Sequence, residues 1–112
     1  MRVYLSGPMT GIKDFNRPEF ARVAAMLRER GHEVISPPEL PEPENLTGND
    51  EKDWYLYLAR DVAHIIADPP DALVQLDEWE KSRGARLEAK VACELGVPVE
   101  HFTHWAFQRR SR

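Results

Sequence analysis

A chain of 112 residues, 42% of them hydrophobic, has material for one core and not for two, so a single domain over residues 1–112 is expected. Its formal charge of -4 argues against a surface that coats polymeric nucleic acid, and the basic run Arg109, Arg110 and Arg112 reads as a solvated tail. Cys93 has no second cysteine to pair with, no apolar run reaches the roughly 20 residues of a membrane span, and the chain opens on a strand pattern without a signal-peptide layout; a cytoplasmic protein with no membrane partner is expected.

Residues 2–6 (RVYLS) predict a strand, closed by the turn signal Gly7-Pro8 with Gly11. Asn16 stands where a helix cap belongs, Pro18 and Glu19 suit a first turn, and Phe20, Val23, Ala24 and Leu27 recur at helical spacing until Gly31 stops them. Residues 32–36 (HEVIS) predict a second strand, followed by a Pro-rich, acidic loop over 37–50. Then come a helix over 51–67, a strand over 72–76 (ALVQL), a helix over 82–95, a strand over 97–102, and a weak last helix over 104–109 resting on Trp105, Ala106 and Phe107. Strands alternating with helices at spacings of about 30 residues imply crossover connections and a parallel sheet. The expected fold is α/β, three-layered, Rossmann- or flavodoxin-like, with about four parallel strands.

In such sheets ligands bind beyond the carboxyl ends of the strands. There the first strand ends in Ser6-Gly7-Pro8-Met9-Thr10-Gly11, whose glycines permit close backbone approach and whose Thr10 offers a hydroxyl. The segment has neither the GxGxxG nor the GxxxxGK[ST] pattern. At about 100° per residue, Leu87, Val91, Ala92 and Leu95 fall on one arc of the 82–95 helix, and Glu88 stands near its middle. Two readings follow. The ordinary one, which the pattern by itself slightly favours, has Glu88 solvated or arginine-paired beyond the sheet edge; the other puts a carboxylate at the rim of a cleft, where a nucleophile or acid is wanted. On the preceding helix, Trp54, Leu58, Val62 and Ile65 form the apolar stripe and Asp61 lies on its edge, again either a boundary residue or a partner for Glu88. Two such carboxylates on helices after neighbouring strands can divide nucleophile from acid. Ser82 and Gly84 open the Glu88 helix, as a cap or as an anion site. Trp79, just before them, can stack on a base or pack a loop, and packing has the edge.

The order V-Y-L-S-G-P at the start, an aspartate on the second helix, the D-A-L-V strand, and S-x-G-A-x-x-E-x-x-x-A-x-x-L-G-x-P-V near the end resemble the nucleoside 2-deoxyribosyltransferase superfamily, with its 2'-deoxynucleoside 5'-phosphate N-hydrolases and short bacteriophage relatives. The resemblance spans residues 2–99 and is most specific over 82–99. It implies that Glu88 is the nucleophile that attacks C1' of deoxyribose, that Asp61 holds the sugar or assists proton transfer to the leaving base, that Tyr4 stands close to the nucleotide, and that Ser82, six residues before the nucleophile, binds a 5'-phosphate. A serine at that position implies a phosphorylated substrate and water as acceptor. Where those hydrolases carry polar residues after the first-strand glycine, this chain has Pro8 and Met9, leaving Thr10 as the nearest polar side chain. The substrate so implied is a small deoxynucleotide, bound by residues from Ser6 to Thr10 with Trp79, Ser82 and Gly84. Superfamily members commonly form dimers, so a homodimer is expected.

That mechanism calls for no cofactor and no metal, and His32, His64, His101 and His104 lack ligand spacing with cysteines or carboxylates. Deoxyribosyl transfer between bases and a non-catalytic nucleotide-binding module remain alternatives. The PPELPEPE stretch reads as a mobile lid rather than a docking segment.

Overall fold

A computed structural model describes residues 1–106; the basic run and residues 107–109 of the expected last helix, with Phe107, lie outside the described residues. The elements are β1 (Arg2–Ser6), α1 (Arg17–Glu29), β2 (Glu33–Ile35), α2 (Asp50–Ala67), β3 (Ala72–Gln75), α3 (Arg83–Glu94), β4 (Val99–His101) and α4 (Phe102–Ala106). All four strands are parallel, in the order β2-β1-β3-β4, with Tyr4 beside Leu73 and Ser6 beside Gln75.

Successive strand side chains point to opposite faces, and this alternation makes the three layers. Val3, Leu5, Ala72 and Val74 pack under Phe20, Val23, Ala24 and Leu27 of α1 and under Phe102 and Trp105 of α4. Tyr4 and Leu73 turn the other way, onto Ile65 of α2 and Ala92 of α3. Ser6 shares the parity of Tyr4, and both are completely buried. A polar pair is thereby set beneath α2 and α3. Because β1 and β3 are neighbours whose following helices leave to opposite faces, a crevice opens beyond their carboxyl ends.

Two local expectations change. Asn16 precedes α1 in a left-handed conformation (φ 62) and makes no cap; its Nδ2 donates instead to the Pro8 carbonyl at 2.9 Å, tying the helix start to the turn after β1. The last helix begins at Phe102 because β4 ends at His101, and its buried Trp105 meets the His32 ring edge-on at 4.9 Å. Gly31 stops α1 as expected, with φ 90 and a bond from the His32 amide to the Leu27 carbonyl. Among the described residues no helix is long and apolar enough to cross a membrane, and Cys93 is exposed on α3.

Candidate active site

The crevice is a cleft of about 570 Å³, walled by residues 7–10 after β1, by Trp54, Leu58 and Asp61 of α2, and by Ser82, Gly84 and Glu88 around α3. Gly7 is required by contact: a Cβ there would stand 2.8 Å from Leu76 Cβ. Gly84 is different, since a Cβ would meet Leu58 and Trp54 only at 3.7 Å. A methyl group at Gly84 would sit in ordinary contact with both.

Glu88 is 5% exposed, and its Oε1 accepts a hydrogen bond from Ser6 Oγ at 2.6 Å. The solvated or arginine-paired reading therefore does not hold. The helix turns its small residues Ala85 and Ala92 to the body together with Glu88, while Leu87 and Leu95, placed on the same arc by periodicity, are 40% and 41% exposed. Leu87 lies about 100° from Glu88 around the axis, and Leu95 is already past the last turn.

Asp61 is likewise buried, at 6% exposure, with Arg60 Nε and Nη2 at 3.0 and 2.9 Å from its Oδ1. Burial and the neighbouring Asp61 charge push the Glu88 carboxyl well above the usual carboxylate range, against the opposing hydrogen bond from Ser6. Burial also raises Asp61, and the Arg60 guanidinium opposes it. Tyr4 is driven far upward by burial and by both carboxylates, so it stays a neutral phenol. Its buried hydroxyl faces Asp61 but meets no partner among the described residues in full hydrogen-bond geometry, nor does Nδ1 of His64, whose ring lies 5.9 Å away. Two interacting carboxyls out of water cannot both ionise cheaply, and their interaction raises Glu88 while the hydrogen bond with Glu88 lowers Asp61.

Pro8, Met9 and Thr10 all line the cleft, but only Thr10 is exposed. Ser82 lines it too, while its Oγ accepts from the Ala85 amide at 3.2 Å, so the capping and site readings coexist. Lys81 and Arg83 add positive charge to that rim, Lys81 paired with Glu78 at 3.2 Å and Arg83 lying 4.1 Å over the Trp54 ring. Trp79 is half-buried in the short turn Trp79–Lys81 and does not line the cleft; it packs. Trp54 is the aromatic that does line it, although helical spacing alone assigned it to the core. Tyr57, one turn before Asp61 on the same arc, was legible by the same period and also forms part of the wall.

The Pro-rich segment does not roof the cleft. Pro37, Pro38 and Leu40 wall a smaller adjoining chamber of about 90 Å³, together with Phe15 and Tyr57. The segment is tied down by Arg28 on Glu39, by Arg60 on the Pro37 and Pro41 carbonyls, and by Asp53 on Thr47 and Gly48. The mobile-lid expectation is replaced by a pinned side wall. Among the described residues no group of three or more His, Cys, Asp or Glu side chains could share a metal ion.

A parallel four-stranded α/β domain with two buried carboxyls at its strand-end cleft has the fold of the nucleoside 2-deoxyribosyltransferases. A solved 2-deoxyribosyltransferase from the psychrotolerant bacterium Bacillus psychrosaccharolyticus superposes with a TM-score of 0.63 at 25% identity, covering 90% of this chain and 71% of that one. Residues 1–101 match the family described as a domain of unknown function, DUF4406, and the chain belongs to that family. No curated protein matches it.

Proposed function

We propose that the protein is an N-glycosidase that hydrolyses a 2'-deoxynucleoside 5'-monophosphate to free base and deoxyribose 5-phosphate, through a covalent glycosyl-Glu88. The observation that carries this reading is the pair of buried carboxyls, Glu88 and Asp61, facing one cleft from adjacent helices, with Glu88 oriented by Ser6. The resting pair holds one proton. As the C1'–N bond breaks, its electron pair goes to the base nitrogen, which takes that proton by way of Asp61 or a water, and the Glu88 carboxylate bonds to C1'. In the second half water attacks C1', the C1'–O bond to Glu88 breaks, and the water's proton returns to the pair. Low exposure keeps the carboxylate's attraction for the oxocarbenium-like centre strong. Ser82, the backbone at the start of α3, and the Lys81 and Arg83 charges would receive the 5'-phosphate.

Deoxyribosyl transfer between bases is the second reading, favoured by the structural neighbour. Both share the Glu88 intermediate and differ only in the acceptor. In either case the substrate is a free deoxynucleotide or deoxynucleoside in the cytoplasm, and we take two copies of the chain as the working unit. The outer side of α2 and α3 suits that assembly: Tyr55 and Leu87 are 61% and 40% exposed beside a groove that also holds Arg83, Arg86 and Lys90.

The test is chromatography of purified protein incubated with each deoxynucleoside and its 5'-monophosphate, with and without a second base, followed by mass spectrometry of the quenched enzyme. Expected are free base, strongest from monophosphates, a deoxyribose-phosphate adduct on Glu88, and a loss on the order of 10³-fold or more in Glu88→Gln. New nucleoside formed with the added base would select transfer. Turnover retained in Glu88→Gln would sink both.

A further inference from the structure

The steps above use Glu88, Asp61 and Ser6 and leave Arg60 without a part, although its side chain is only 15% exposed. Neighbouring residues on a helix do not face one another, so Arg60 reaches Asp61 only by folding back, its guanidinium 5.2 Å from the centre of the Tyr57 ring. In that pose every part of the fork is engaged. Nε and Nη2 grip Asp61 Oδ1, Nη2 also donates to the Pro37 carbonyl at 3.0 Å, and Nη1 donates to the Pro41 carbonyl at 3.3 Å. Arg60 does not wall the main cleft; it lines the small chamber, which Glu42 and Asp53 also line. Its guanidinium thus bonds both a site carboxylate and the Pro-rich segment, and a lysine could supply the charge but not the planar fork.

The geometry points to Arg60 as a positioning residue for the reaction proposed above, on which this inference rests: it fixes Asp61 Oδ1 and, through the Pro37 and Pro41 carbonyls, makes the placement of that carboxylate depend on the seating of the Pro-rich segment. Substrate filling the small chamber would then be felt at Asp61 without touching it. Asp61 is faced by Arg60 from its own helix, by Tyr4 from β1 and by Glu88 from α3, and His64 lies against Tyr4 one turn further along α2. Of these only Arg60 brings a fixed positive charge, so removing it moves Asp61 towards the protonated form.

The experiment compares wild type, Arg60→Met and Arg60→Lys by carbon-detected NMR titration of the Asp61 carboxyl, by amide exchange at Leu40, whose N–H bonds to the Pro37 carbonyl at 3.1 Å, and by kcat and KM for base release. In Arg60→Met the Asp61 titration is expected at higher pH, Leu40 exchange faster, and kcat lower on the order of 10²-fold with KM little changed. Arg60→Lys is expected to restore the titration but not the Leu40 protection. An Asp61 titration in Arg60→Met that overlays wild type overturns the proposal, as does unchanged Leu40 exchange. If Arg60→Met does not fold, Leu40 exchange in Arg60→Lys decides alone. If wild type releases base from no substrate, the glycosidase reading falls by itself, while titration and exchange still decide whether Arg60 couples the segment to Asp61.

Discussion

Glu88 is the residue at which stability and chemistry conflict. Its carboxyl is raised in the folded state, chiefly by burial, so the unfolded chain ionises it first as pH rises, at about 4.3. The sign follows: below that pH Glu88 is protonated in both states and does not disfavour folding, whereas above it ionisation favours the unfolded chain until the folded carboxyl also titrates. Glu88→Gln keeps the shape and removes the titration. The variant is therefore expected to be more stable than wild type at pH 7 by about 1–2 kcal/mol, with the difference shrinking to nothing below about pH 4. Thermal melts across that range measure it, and a variant less stable than wild type at pH 7 would refute the account. A glutamate on an apolar helical arc was already anomalous in the sequence, because a 3.6-residue period needs only the order of residues, although Leu87 and Leu95 of that arc are exposed. Ser6 as its partner was not legible, since that contact spans 82 positions and exists only once β1 lies under α3.

At the level of elements, the Pro-rich connection illustrates how composition misleads. Prolines and acidic residues without periodicity read as a mobile segment, yet its far end is held by Asp53, which accepts from the Thr47 amide and hydroxyl at 2.8 Å each and from the Gly48 amide at 2.9 Å. Asn49 then caps α2 by accepting from the Lys52 amide at 3.0 Å. Those bonds hold the Asp53 carboxyl below the usual range, so their stabilisation is present above the unfolded value of about 3.9 and is lost as pH falls through the lower folded one. Asp53→Ala is expected to release the Thr47 and Gly48 amides to fast hydrogen exchange while leaving β1 and β3 protected; unchanged exchange at both amides would show that the tie is not what orders the segment. The connection after β1 was equally opaque to sequence. Asp14, Phe15 and Asn16 are consecutively left-handed, with φ of 55, 54 and 62. Asparagine and aspartate tolerate that region, but a phenylalanine there is a true outlier, and no spacing rule anticipates it.

Across the whole molecule, the α/β class, the parallel pairing and the number of strands were legible because alternation of strand and helix leaves little else possible. The order β2-β1-β3-β4 was not, since nothing local marks which strand lies beside which. The expected assembly belongs to this scale as well. The exposed thiol of Cys93 lies about 16 Å along α3 from Ser82, at the end of the helix away from the cleft, and the sequence holds no other. A nitroxide attached there would put one electron spin on each chain without entering the cleft. Dipolar spectroscopy of the labelled protein should return one narrow inter-spin distance if two copies join across α2 and α3, and no modulation above background if the chain works alone.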